Sequence, residues 1–534
     1  MNIIIGISWP FVNGELHIGH AASSLPGDII ARYHRLKGNK VILVSGTDCH
    51  GTPTEVKALK ENKSPKEIVD ECHVSFAKDF KDFGISFDLY NRTDDEYHKK
   101  FVQEQFIKYY NNGYLEEKNE EQLYCDHCRL FLADRYIIGI CPKCNAEIKG
   151  DECEKCGSLL TISEVKETKC SICGNKTTYK NNKNLYFKLS NFQNNINHLL
   201  ESKRNEWREN AINFTERYLN EGIPDRCASR TLNYGIDIPI EGFKDKKLYG
   251  WFENVWGYVT ASKKYAENNN LNWEDFWKNN KNNKIYLVHA KDNIPFHSVI
   301  FPSLLLATND DYKLPDKIVS DEYITIDGEK LSKSKGNYIT LRHLLDNYSI
   351  DSIRYYLSIN NPETRDFNFN YEGFINSINS ELLGKWGNFV NRTLQFINKS
   401  FNGKLSCINA DEDIENKLNE LYELVGNDID NGNTKYGLIK IFEFVNYANK
   451  YFDENEPWKL AKEDLKKCEE ILYNCCNIIL NVNNLLKPYL IETTTKVEKY
   501  LNVSINEWNY IKLCNVNLSK EISPLFIRYD KSEI

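Results

Sequence analysis

An unbroken apolar run sets the architecture of this chain. Residues 2–9, Asn-Ile-Ile-Ile-Gly-Ile-Ser-Trp, end at Pro10 and do not alternate with polar residues. Such a run reads as a strand buried on both faces, the kind a parallel sheet contains. After the Val12-Asn13-Gly14 turn, apolar residues recur at Ile18, Ala22, Leu25, Ile29 and Leu36. Steps of three and four predict a helix, with a kink expected at Pro26. A second run, Val41-Ile42-Leu43-Val44, leads into Ser45-Gly46-Thr47-Asp48-Cys49-His50-Gly51-Thr52. Polar groups at a strand's carboxyl end are what an open α/β sheet uses for chemistry. The sheet is expected to resume around Tyr249-Gly250-Trp251-Phe252-Glu253 and Ile285-Tyr286-Leu287-Val288-His289. From 381 onward the spacing turns helical, with few Gly or Pro, and predicts a helical domain running nearly to the C-terminus.

The first turn carries chemistry. A strand, a Gly-containing turn and a helix N-terminus make an anion site, because unpaired N–H groups and the helix dipole favour negative charge. His17 and His20 share one face of that first turn, and Gly19 lets a nucleotide come close. Far along the chain, Tyr323-Ile324-Thr325-Ile326 alternates like a strand, and Asp327-Gly328 is a hairpin turn. The loop Lys330-Leu331-Ser332-Lys333-Ser334 follows. A lysine on a movable loop can close over a transferring phosphate and stabilise charge that develops there. Either basic string alone reads equally well as solvated surface.

Sixteen cysteines include four Cys-x-x-Cys pairs: Cys125/Cys128, Cys141/Cys144, Cys153/Cys156 and Cys170/Cys173. Four thiolates make one closed tetrahedral site, so eight imply two structural zinc ions. A disulfide framework suits this chain less well, since no basic stretch precedes the first apolar run as a secretion signal would require. The remaining cysteines, such as Cys49 and Cys72, are scattered and read as buried or inert. At 534 residues the chain holds two to four domains. A net charge of −8 does not mark a nucleic-acid binder in bulk, so any such surface must be a local basic patch. No run reaches the length of a membrane span, and a cytoplasmic location is expected.

His17-Ile18-Gly19-His20 and Lys330-Leu331-Ser332-Lys333-Ser334 resemble, in this order, the two signatures of class I aminoacyl-tRNA synthetases. Further segments resemble the methionyl-tRNA synthetases. They are Trp9-Pro10-Phe11-Val12-Asn13-Gly14, Asp48-Cys49-His50-Gly51-Thr52-Pro53, Trp251-Phe252-Glu253 with Gly257-Tyr258, and Lys291-Asp292-Asn293-Ile294-Pro295-Phe296-His297. The likeness spans nearly the whole chain. It implies a Rossmann-like α/β catalytic fold with a zinc-knuckle insertion, followed by an all-α anticodon-binding bundle. It implies ATP, Mg²⁺ bound with ATP, L-methionine and tRNA(Met) as ligands, with His17, Gly19, His20, Lys330 and Lys333 at the nucleotide. Asp48 would hold the methionine amine. Arg230 matches an arginine near the active site. Trp9, Phe11, Trp251, Tyr258, Asp292, Phe296 and His297 would form the pocket, whose aromatic walls suit a polarizable thioether. The chain departs from the family at Trp9 and Phe11, and at Asn254-Val255-Trp256, where Ala-Pro-Ile is more usual.

The same resemblance pairs Cys141, Cys144, Cys153 and Cys156 as an inner zinc site and Cys125, Cys128, Cys170 and Cys173 as an outer one. Sequential pairing is the alternative that spacing leaves open. Asn388 and Arg392, one helical turn apart, and Trp458 match residues that read the CAU anticodon, by stacking an unstacked base and bonding its edge. The expected divisions are a first Rossmann half (1–115), the insertion (116–227), a second half (228–320), a region carrying the lysine loop and contacting the tRNA stem (321–380) and the helical domain (381–534), in a monomer.

Two kinds of rival, another class I synthetase and an RNA-binding scaffold, are weaker. A leucyl-, isoleucyl- or valyl-type enzyme needs a large editing insertion, and the signatures stand only 313 residues apart (330 − 17). A cysteinyl-type enzyme needs a Cys/His zinc set for its substrate thiol. A zinc-ribbon RNA-binding scaffold with a degenerate synthetase fold would not require both signatures intact.

Overall fold

The protein is seen here as a computed structural model. It describes the whole chain apart from residues 133–135, 151–152, 154, 156–159, 161–163, 279–280, 327, 331–337, 407–410 and 531–534, and the side chains of 329 and 330. Leu331, Ser332, Lys333, Ser334, Asp327 and Cys156 therefore lie outside the described residues, as does the side chain of Lys330.

The first apolar run is the centre of a parallel sheet. Strand β1 (Asn2–Ile7) lies between β2 (Lys40–Thr47) and the strand Asn283–Ala290. Strand β3 (Leu89–Arg92) extends one edge and Lys317–Asp321 the other. All four pairings are parallel. With a strand on each edge and helices on both faces, Ile3, Ile4, Ile5 and Ile7 are fully buried, which is why the run shows no alternation. Helix α1 (Ile18–Leu36) runs unbroken through Pro26. It lies so close to β1 that a Cβ at Gly27 would sit 2.6 Å from Ile7 Cγ1.

Two expectations need correction. Residues 249–253 do not rejoin the sheet: Gly250–Glu253 is a helical turn that continues through Asn254–Trp256 into the helix Gly257–Asn268. A short apolar run cannot be told from a buried helix segment by periodicity, and both edges of β1 are already taken. The helical region also stops earlier than expected. Its last helix, Glu492–Leu501, is followed by an extended tail laid over the buried helix Leu465–Leu486. Asn481 on that helix donates to Ile511 O (2.9 Å) and accepts from Ile511 N (2.8 Å). A buried asparagine supplies the partners an extended backbone lacks. The tail also ties the bundle to the sheet, since Trp508 N–H donates to Leu36 O at the end of α1.

Between the sheet's third and fourth strands in sequence, Leu115–Cys125 and Thr178–Phe187 form a long antiparallel ribbon carrying the cysteine loops. No helix among the described residues is long and apolar enough to cross a membrane.

Candidate active site

His17, His20, Asp48 and the expected pocket aromatics gather near the carboxyl ends of β1, β2 and Asn283–Ala290, while Lys333 and the Lys330 side chain lie outside the described residues. One end of the site is the start of α1. His17 is its N-cap, and His17 Nδ1 accepts the Gly19 N–H (3.1 Å) while His20 Nδ1 accepts the His17 N–H (3.1 Å). A nitrogen that accepts carries no proton, so in each neutral ring the proton sits on Nε2. The two rings lie 3.9 Å apart. The residues flanking the second signature are stitched to this turn. Ile18 N–H donates to Ile339 O, Leu341 N–H to Leu16 O, and the Tyr338 hydroxyl to Glu15 O. On the other flank, Ile324–Ile326 pairs with Glu329–Lys330 across Gly328, whose φ is +75°.

A second cluster is polar and buried. Asp48 and Asn254 are 0% and 3% exposed, and Asn254 Nδ2 donates to Asp48 Oδ2. Asp48 Oδ1 finds no hydrogen-bond partner among the described residues. Burial pushes the Asp48 carboxyl well above the usual carboxylate range, Glu253 pushes it further, and the Asn254 bond and the His50 backbone oppose. Glu253 bridges two buried histidines: His50 Nδ1 at 2.8 Å and His98 Nε2 at 3.3 Å. Burial raises the Glu253 carboxyl, but these two rings outweigh it and hold it below its ordinary value. An exposed carboxylate recruits water, whereas this one has histidines, so Asp48 is left as the buried acid wanting a cation.

Beside it stands an aromatic box. Trp251 stacks on Phe296, with centroids 3.4 Å apart, and meets Phe11 edge-on. Trp9 meets Tyr258 edge-on at 6.5 Å. His297 Nδ1 bonds Asn293 O (2.8 Å), an acceptor only, so the proton is there and Nε2 accepts the Tyr258 hydroxyl (2.7 Å). Burial brings the His297 ring down to about 4, so it is neutral. His289 stacks on it at 4.2 Å. The large Trp9, a departure from the resemblance, is accommodated by two glycines: a Cβ at Gly46 or Gly257 would lie 2.4 Å and 2.6 Å from its ring. Arg230 sits over the Tyr249 ring at 3.9 Å. Asp292 is exposed on the turn Lys291–Asn293. His50, His98, Glu253, Asn254 and His289 belong to the site but were not singled out. Their only sequence signal is closeness to residues that were, because buried polar partners are chosen by three-dimensional neighbours.

The cysteines gather in nested sets. Cys125, Cys128, Cys170 and Cys173 have all their sulfurs within 4.8 Å, as do Cys141, Cys144 and Cys153; Cys156, expected as the fourth inner ligand, lies outside the described residues. The sulfurs of Cys125 and Cys173 are 3.5 Å apart, and those of Cys144 and Cys153 also 3.5 Å. A disulfide would need about 2.05 Å, whereas sulfurs about 2.3 Å from one tetrahedral ion lie about 3.8 Å from each other. The donor sets fit a thiophilic metal. The thiols of the outer set diverge: backbone bonding from Asn175 draws Cys173 down to about 6, while burial pushes Cys128 and Cys170 up.

Far from these groups, Asn388 is exposed at the start of the helix Asn388–Phe401. One turn on, Arg392 is braced by Asp453 (2.5 Å) and Asn449 (2.9 Å to O) and lies over Phe452 at 4.3 Å. Trp458 is 42% exposed beside Phe452, at 6.1 Å. Arg392 and Trp458 thus share Phe452 as a neighbour, with Asn388 one helical turn before Arg392.

Residues 3–394 match the family described as tRNA synthetases class I (M). The chain is 45% identical to methionine–tRNA ligase 1 of Alkaliphilus oremlandii, over 99% of this chain and 98% of that one. It is 44% identical to the methionine–tRNA ligase of Bacillus cereus strain B4264, over 100% and 98%. Its fold is similar to that of Mycobacterium tuberculosis methionyl-tRNA synthetase solved with methionyl-adenylate, with a TM-score of 0.82, 22% identity, and 99% and 100% of the two chains covered.

Proposed function

The chain belongs to the class I tRNA synthetases of the methionine type, and from that premise we infer that it is a ligase joining methionine to tRNA in two steps. Methionine attacks the α-phosphate of ATP, giving methionyl-adenylate and pyrophosphate; the terminal ribose of tRNA then takes the methionyl group. The observation that carries this reading is the pairing of an anion-binding helix start with a buried, cation-seeking carboxylate beside an aromatic box.

Each group has a part. His17 and His20 offer Nε2–H donors at the N-terminus of α1, where the phosphates would lie. Lys333, with Lys330, neutralises charge developing on them. Asp48 holds the ammonium of methionine. Trp251, Phe296, Phe11 and Tyr258 surround the thioether, and the neutral His297 keeps the Tyr258 hydroxyl oriented without adding a charge that the sulfur cannot match. Mg²⁺ accompanies ATP, since phosphate oxygens suit a hard cation. The two cysteine sets hold structural zinc, which supplies cross-linking to an insertion with little core of its own. Asn388, Arg392 and Trp458 read the anticodon of tRNA(Met).

The test is amino-acid-dependent exchange of pyrophosphate into ATP across all twenty amino acids. Methionine alone should support fast exchange without tRNA. Equal or faster exchange with another amino acid would refute the reading.

A further inference from the structure

Asn254 stands at the hinge between the turn Gly250–Glu253 and the helix Gly257–Asn268, on the element that also carries Glu253 and Tyr258. Its side chain is 3% exposed and gives its amide N–H to Asp48 Oδ2. No other side chain among the described residues hydrogen-bonds the Asp48 carboxylate, and Oδ1 has no partner among them. A carboxyl group on one carbon stem turns easily about its last bond, because that torsion is broad and two-fold. With the His50 backbone as the other donor, the Asn254 amide is the only side chain among the described residues that holds the carboxyl against that rotation. It also leaves a single direction in which the other oxygen can accept. The neighbouring Glu253 cannot do this, being itself held between His50 and His98.

We propose that Asn254 is a positioning residue for the substrate's ammonium group: it clamps Asp48 Oδ2 so that Oδ1 alone faces the amine. This rests on the reading that Asp48 binds that amine. An alanine in this place, as the sequence resemblance would lead one to expect, makes no such bond. The chain thus fixes its acidic anchor by a side chain of its own. The clamp acts on the amine and not on the thioether, so it sets affinity for any amino acid that enters the pocket equally.

The experiment compares Asn254→Ala and Asn254→Leu in pyrophosphate exchange, with methionine and with norleucine as substrates. The leucine variant keeps the branching of asparagine without the donor, the alanine variant controls for its larger bulk, and thermal melts establish that each variant is folded. Losing a fixed hydrogen bond to a charged group should raise KM for methionine about tenfold or more with kcat little changed. The norleucine KM should rise by the same factor, leaving discrimination between the two substrates intact. An unchanged methionine KM, or a change in discrimination, would overturn the proposal and make Asn254 a shaper of the side-chain pocket. Asp48→Asn tests the premise separately: if it leaves the methionine KM untouched, Asp48 does not bind the amine, whatever the Asn254 variants do.

Discussion

Trp9 and Gly257 touch so closely that each limits the other: a Cβ at Gly257 would lie 2.6 Å from Trp9 Cζ2, with Cε2 and Cη2 also within 3 Å. The indole cannot swing away, because Gly46 packs against its other edge and Tyr258 and His98 meet its faces. Gly257→Ala should therefore destabilise the enzyme by about 1–3 kcal/mol, the scale of overpacking a filled core, and raise KM for methionine. Urea unfolding and exchange kinetics measure both. A neutral or stabilising effect would mean that Trp9 is loosely held.

Asp48 predicts a pH signature. Its folded-state pKa is raised, chiefly by burial and then by Glu253. The native state therefore keeps this proton longer than the unfolded chain does. The group's contribution to stability is fully present below the ordinary carboxylate value of about 3.9 and is lost as pH rises through the raised native value. Asp48→Asn should melt higher than the parent at neutral pH, the gap closing as pH falls towards 4, while kcat/KM for methionine falls by about one to two decades with the lost charged hydrogen bond. A gap in melting temperature that ignores pH would contradict the assignment.

Metal analysis should find two zinc ions per chain. Cys125→Ser should lower that to about one and depress the melting temperature, and a strong chelator should do the same to the parent. X-ray absorption should report four sulfurs near 2.3 Å with no nitrogen. One zinc per chain in the parent, or mixed nitrogen and sulfur ligation, would count against two closed thiolate sites.

Trp458→Ala should separate the two half-reactions. A base stacked on an indole is worth about 1–3 kcal/mol, roughly one to two decades in affinity, so charging of tRNA should fall while pyrophosphate exchange stays normal. Asp453→Ala, which removes one of the two residues that brace Arg392 and leaves Asn449, should weaken charging in the same direction. Equal losses in charging and exchange would make Trp458 a packing residue.

Local pattern carried much of this protein. The central strand, the helix behind it, the histidine-bearing turn between them and the four cysteine pairs could all be read from the sequence, because each depends on residues a few positions apart. His17 and His20 share a helical turn, and Cys125 and Cys128 a knuckle, whatever the rest of the chain does. Tertiary structure decided what distance along the chain conceals. Tyr249–Glu253 has strand-like composition, yet both edges of β1 are filled by other segments, so it turns helical. The tail beyond Leu501 stays extended because buried asparagines on the helix Leu465–Leu486 meet its backbone. The partners that tune Asp48, namely Asn254, Glu253 and through it His50 and His98, lie up to 206 residues apart. Hydrogen bonding and burial act over a few ångströms of space, and only the folded chain determines which residues are that close.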